Sequence, residues 1–187
     1  MADAAVRTAQ PSDAPEIARI QLNTWRTAYA ELLPEQALAG MDPGEAERAW
    51  AGAIEHPETT VHLATEGEFV VGFCVAGPAP ETEAALADGN LPEDAMHTGL
   101  IGTLLVEPRW GRRGHGGRLL AIAAEGLRER GARRGISWIP EADTASLSFF
   151  ERAGWAPDGT VRTLDAAGTP LREIRLSGGL ELELVHP

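Results

Sequence analysis

The stretch VEPRWGRRGHGGRLL, residues 106–120, decides how the chain is read. An apolar run, TGLIGTLLV (98–106), leads into it. A helix-periodic run, RLLAIAAEGLRER (118–130), leads out. Between Arg109 and Gly117 lie four glycines and three arginines in nine residues. A strand that turns through glycines into a helix exposes that helix's first amides. These have no intrahelical partner and carry the positive end of the helix dipole. Glycines let a ligand approach the backbone closely, so phosphate is the natural guest. Arg112, Arg113 and Arg118 would add charge-assisted contacts. The turn is not a P-loop, because GRRGHGGR lacks the Gly-Lys-Ser/Thr ending. Nor does it complete a dinucleotide fingerprint: after Gly114 and Gly116, the third glycine falls on Leu119. A glycine turn that only lets the helix pack on the sheet is the competing reading.

Outward from this turn the chain alternates between the two periodicities. Upstream, Val6–Ala9 reads as a short strand. A helix follows, capped by Ser12 or Asp13 and carrying Ile17, Ile20, Leu22, Trp25 and Tyr29 on one stripe to about Ala30. Two helical pieces broken at Gly40 follow, the second over Pro43 to Glu55. Residues 60–65 and 69–77 form a hairpin about an EGE turn. The acidic, Pro- and Gly-rich segment that follows reads as a surface loop. Its carboxylates between Glu81 and Asp94 could steer a cationic substrate, or could simply be solvated. TGLIGTLLV is a central strand. Beyond the glycines come a helix from about Gly116 to Arg130, the strand RGISWI, the helix TASLSFFERAG ending at Gly154, and two strands joined by DAAG. The terminal LELELVHP alternates as an exposed edge strand could, within the chain or across a dimer. The order predicts an α/β (α+β) domain on a mixed sheet.

Composition bounds the function. The 187 residues suit one domain, 1–187, and 43% of them are apolar, enough for a sizeable core. The net charge of −12 argues against nucleic acid as a partner. All basic residues are arginine. Residues 1–100 hold 17 acids against 4 arginines, and residues 101–187 hold 11 acids against 12 arginines. That split suits an anionic ligand in the second half and a cationic one in the first. Cys74, the single cysteine, lies in an apolar run and reads as core filler in a reducing compartment. No signal peptide or membrane span is expected, so the location expected is cytoplasmic. No His, Cys or Asp cluster has metal-ligand spacing, and no metal is expected.

The stretch 104–120 followed by DTASLSFFERAGW (143–155) resembles the GNAT-type N-acetyltransferases. Val106, Pro108, Trp110, Gly114 and Gly116 match the family's first motif. Asp143, Ser146, Phe149, Phe150, Gly154 and Trp155 fill the second, and NTWRTAYAELLP looks like the first helix of many bacterial members. The resemblance implies a mostly antiparallel sheet of about seven strands, with helices on both faces, splayed between the fourth and fifth strands. Its motif core would cover about residues 60–180. It implies acetyl-CoA as acyl donor. The pantetheine would pair with Leu104, Leu105 and Val106, and the pyrophosphate would rest on Arg112, Arg113, Gly114, His115, Gly116 and Gly117. Asp143 and Phe150 would flank the thiol end, and Ser146 would also contact the coenzyme. His115 reads as a solvent-facing residue over the phosphates rather than a catalyst.

The sequence departs from the family where chemistry is often assisted. Leu100 stands at the usual glutamate of the central strand and Phe150 at the usual tyrosine. Gly111 and Arg112 replace the motif's Arg/Gln and its first Gly. Acetyl transfer needs a neutral amine, a donor for the developing oxyanion and a proton for the leaving thiolate. Substitutes are sought in Tyr29, the one tyrosine, and in His97 and Glu141. Tyr29 and Trp25 also read as walls of the acceptor pocket, Asp143 as a helix cap, and His62 as surface. The reading is an N-acetyltransferase acting on a primary amine of a small molecule or peptide, as monomer or homodimer. The alternative is a catalytically weak or inactive module of the same fold that binds or senses CoA.

Overall fold

Period-two alternation along the central strands divides their side chains between two cores, and helices cover each. The computed structural model describes residues 3–182. In chain order the elements are β1 (Ala4–Thr8), α1 (Ala14–Thr27), α2 (Glu35–Ala39), α3 (Pro43–Glu55), β2 (Thr60–Glu66), β3 (Phe69–Pro78), α4 (Glu81–Ala84), β4 (Thr98–Val106), α5 (His115–Glu129), β5 (Arg134–Pro140), α6 (Thr144–Arg152), β6 (Ala156–Ala166) and β7 (Thr169–Gly179). The strands form one sheet in the order β1-β2-β3-β4-β5-β7-β6. All neighbours are antiparallel except β4 and β5.

On one face, Leu63 of β2 and Phe73 of β3 meet Ile17 and Ile20 of α1 and Trp50 of α3. Trp50 and Phe73 pack edge to face, with ring centroids 4.8 Å apart. On the other face, Ala64 and Cys74 meet Leu119, Leu120 and Ala123 of α5, and Phe150, Trp155 and Leu176 extend the cluster. Each buried Leu, Ile or Phe among these contributes about 1.5–3 kcal/mol. α3 starts where expected because Asp42 caps it, accepting from the Glu45 amide at 2.8 Å.

The functional feature is where β4 and β5 part. Their parallel register covers only Thr98–Leu100 against Arg134–Ile136. Two residues on, Gly102 is the bulged residue of β4 opposite Val75 and Ala76 of β3. A bulge bends its strand. Beyond Ser137, whose Oγ donates to the Ile101 carbonyl at 2.9 Å, the two strands diverge into a V.

Four readings are corrected. The acidic segment is not a bare loop: Glu81–Ala84 is α4, and arginines of the C-terminal strands hold the segment down. Arg175, 1% exposed, donates to the carbonyls of Glu83 and Ala85 at 2.7 Å. Arg162 pairs with Glu83 and Arg134 with Asp94. A local pattern carries no sign of partners that lie 40 to 92 residues away. His62 is buried rather than surface, because it alternates onto the same face of β2 as Ala64, which packs with Leu119, Leu120 and Ala123 of α5. Helix α1 stops at Thr27, short of Ala30. In LELELVHP, β7 has already ended at Gly179 and Leu180 is buried in the core, while residues 183–187 lie outside the described residues.

Candidate active site

The V supplies a free backbone edge. In an antiparallel pair, residues alternately face their partner and turn away from it. The Glu107 amide donates to Val71 at 2.9 Å, so Glu107 faces β3. With Val106 opposite Gly72 and Leu104 opposite Cys74, the register turns the N–H and C=O groups of Leu104 and Val106 into the cleft. The backbone groups of Leu105 between them face Phe73 of β3.

The edge runs directly into the glycine turn. Gly114 caps α5 in the left-handed region, φ 79°, and Arg112 also holds positive φ, 61°. The first intrahelical bond of α5 runs from the Arg118 amide to the Gly114 carbonyl, at 3.1 Å. Among the described residues, the amides of Arg112, Arg113, Gly114, His115, Gly116 and Gly117 have no protein acceptor. A side chain on Gly116 would meet Phe149 Cε2 at 3.2 Å, so this glycine also permits close packing of α5 against α6. His115 is corrected: it is 2% exposed, and its Nε2 lies 2.8 Å from Glu66 Oε2. A variable motif position reads as solvent-facing, but the imidazole folds inward beneath the turn.

At the far side of the V, Asp143 caps α6, accepting from the Ser146 amide at 3.0 Å and the Ser146 hydroxyl at 2.6 Å. The Tyr29 phenol, arriving from the α1 face, donates to Asp143 Oδ2 at 2.6 Å. Burial, reinforced by the Asp143 carboxylate, pushes the phenol above its ordinary pKa. Trp25 packs on the same core as Tyr29. Phe150, at 2% exposure, belongs to the core beside Trp155, and its neighbour Phe149 is the ring that reaches the turn. Two candidates stand apart from this group. His97 precedes the closed end of the β4–β5 pair, with its Nδ1 3.2 Å from the Gly131 carbonyl. Glu141 is about half exposed and pairs with Arg172 at 3.1 Å.

The Acetyltransferase (GNAT) family model matches residues 21–155. The chain belongs to the GNAT acetyltransferase family. The uncharacterized N-acetyltransferase YuaI of Bacillus subtilis (strain 168) is 28% identical to it over 172 residues, covering 91% of this chain and 90% of that one. The PaiA N-acetyltransferase of Thermoplasma acidophilum, solved in complex with coenzyme A, superposes with a TM-score of 0.73 at 12% identity, covering 95% of this chain and 99% of that one. YncA of Salmonella typhimurium, solved with its cofactor acetyl-CoA, gives 0.69 at 18% identity, covering 99% and 98%. These two likenesses concern the fold.

In this GNAT acetyltransferase, several residues of the site carry no mark in the sequence. Glu66 holds both Arg113 and His115 at 2.8 Å. Glu107, 1% exposed, anchors Arg109 through Nε at 2.6 Å and lies 2.6 Å from Arg19 Nη1 of α1, a charge contact without an aligned N–H. Glu173, buried on β7, pairs with Arg162 and adds its charge to those acting on Tyr29. Only the fold brings Glu66 and Glu173 to the site; Glu107 follows Val106 directly, and only its contact with Arg19 depends on the fold. Among the described residues no cluster of His, Cys, Asp and Glu could hold a metal ion, and no helix is long and apolar enough to cross a membrane.

Proposed function

We propose that this acetyltransferase moves an acetyl group from acetyl-CoA to a primary amine of a small molecule or peptide by direct attack on the thioester. One observation carries the reading: an unpaired strand edge, Leu104 and Val106, runs into six acceptor-less amides at the positive end of α5. An extended amide chain ending in a diphosphate fits both parts. The edge pairs with the pantetheine as an added strand would, and the turn takes the diphosphate with Arg112 and Arg118. When bound, the coenzyme supplies an activated acyl group. The protein supplies position, and near-attack alignment alone supplies a large share of rate enhancement.

Tyr29 and Asp143 handle the acceptor's proton in this reading. As the amine nitrogen bonds to the acyl carbon and the C–S bond breaks, the phenol oxygen takes the amine's proton while its own proton passes to Asp143, and the departing thiolate takes a proton from solvent. The phenol therefore never ionises, in keeping with its raised pKa. His97 and Glu141 have no part in this scheme.

Calorimetry with coenzyme A tests the cofactor reading, and release of free thiol over a panel of amines tests transfer. Binding without release for any amine would favour the second reading, a CoA-binding module. The core position of Phe150, which leaves no acid where the family often has one, gives that reading its support. No binding at all would remove both.

A further inference from the structure

We propose that Glu66, the last residue of β2, is a positioning residue that sets the shape of the phosphate turn and leaves Arg112 and Arg118, not Arg113, to meet the phosphates. The inference rests on the reading of residues 112–117 as the diphosphate site. One carboxylate grips both sides of the left-handed Gly114: Oε1 accepts from Arg113 Nη1 and Oε2 from His115 Nε2, each at 2.8 Å. His115 and Arg113 hold the Glu66 carboxyl below its ordinary pKa, so it is ionised and can only accept. Arg118 can only donate, and its Nη1 lies 3.5 Å from His115 Nδ1 and 3.2 Å from the Arg113 carbonyl. The partners therefore assign the proton of His115 to Nε2 and leave Nδ1 facing Arg118.

The chain Glu66–His115–Arg118 lays the Arg118 guanidinium over the turn, within van der Waals contact, 3.5 Å, of where a Cβ on Gly114 would sit. Arg113 is held differently. Its charge is matched by Glu66, and its guanidinium lies 4.9 Å from the centre of the Trp110 ring. Trp110 in turn rests on Phe69, from the same hairpin as Glu66, with centroids 5.8 Å apart. Two residues at the tip of the β2–β3 hairpin thus brace the turn. Among the described residues Arg112 has no side-chain partner.

The sign of one experiment decides between positioning and plain charge. Removing a negative group near an anion site strengthens anion binding if charge is all it contributes. Removing a group that shapes the site weakens binding. In calorimetry with coenzyme A, Glu66→Gln is expected to raise Kd about tenfold, the scale of one lost charge-assisted hydrogen bond. With acetyl-CoA the variant raises KM with kcat within about twofold, and with acetyl-pantetheine, which lacks the diphosphate, kcat/KM also stays within about twofold. In the free protein, the amides of Gly114 to Gly117 exchange with solvent faster. Arg113→Gln, which removes one of the two grips, gives a smaller rise in Kd and stands in if Glu66→Gln fails to melt cooperatively. Unchanged or tighter coenzyme binding, equal losses with both donors, or unaltered amide exchange overturns the proposal. If the unaltered protein does not bind coenzyme A, the diphosphate reading itself falls and this inference falls with it.

Discussion

Tyr29 donates its phenol proton to Asp143 at 2.6 Å, joining the segment after α1 to the cap of α6 across 114 residues of chain. The bond ties a residue packed on the α1-side core to the cap of the helix that follows β5. Tyr29→Phe keeps the ring and removes the relay, so kcat should fall about a hundredfold, within the usual range for a general acid–base group. Coenzyme A affinity should change little. A variant with full kcat would exclude the phenol from proton transfer.

The same phenol gives a direct titration, because Tyr29 is the only tyrosine in the chain. Its folded pKa is raised, by burial first and then by Asp143. The protonated form is thus favoured in the fold. The stability it contributes is complete below the unfolded value of about 10 and is lost as pH rises beyond it. Tyrosinate absorbance should stay absent past pH 10 and then appear together with unfolding. A reversible titration near 10 in folded protein would show that the bond to Asp143 does not hold in solution.

How far the sequence reveals this site depends on how local each signal is. The bounds of strand β4 and helix α3 are legible because glycine, proline and capping residues punctuate them in place. The glycine turn announced itself for the same reason. The splay followed from a resemblance, yet its physical basis, a bulge at Gly102, leaves only a lone glycine in an apolar run. Phe149 and Phe150 are adjacent on a helix, about 100° apart in projection. Which of them faces the turn is settled by how α6 rolls onto the sheet. Glu66 was illegible because its partners are 47 and 49 residues away.

His62 predicts an acid-side weakness. It is buried, its Nδ1 has no partner among the described residues, and burial lowers its pKa. The fold favours the neutral ring. Its stabilising effect is therefore present above the unfolded value of about 6.5 and declines as pH falls below that. Urea unfolding at about pH 7.5 and about pH 5.5 should show a larger loss for the native protein than for His62→Leu. Equal losses would place the pH dependence elsewhere.

Arg112 holds the left-handed backbone, φ 61°, at a position where the family pattern carries glycine. For a side chain this costs about 1–2 kcal/mol, against about 0.5–1 kcal/mol of extra unfolded-state freedom for glycine. Arg112→Gly should therefore raise stability slightly, by up to about 1 kcal/mol. Loss of the guanidinium should weaken coenzyme A binding about tenfold, with a shallower salt dependence. Stability and affinity moving in opposite directions is the signature, readable from thermal unfolding and calorimetry on one variant. Unchanged affinity would show that Arg112 does not reach the phosphates.

Trp155 sits at the floor of the core, 1% exposed, and donates its indole N–H to the Gly179 carbonyl at 3.1 Å. It lies flat against bare backbone. A side chain on Gly178 would overlap the indole, with Nε1 2.8 Å away and two ring carbons nearer still. One on Gly135 would overlap its other edge. The ring cannot retreat, because Phe150 closes the opposite side, with centroids 5.2 Å apart. Gly178→Ala should therefore destabilise the fold by about 3 kcal/mol, the upper range for overpacking. In a chain of this length that lowers Tm by roughly 6–12 °C. Gly179→Ala, one residue on, meets no atom within 4 Å and serves as the control. Equal melting temperatures for the two variants would mean that Trp155 is free to shift, and that the core beneath the V is looser than this packing requires.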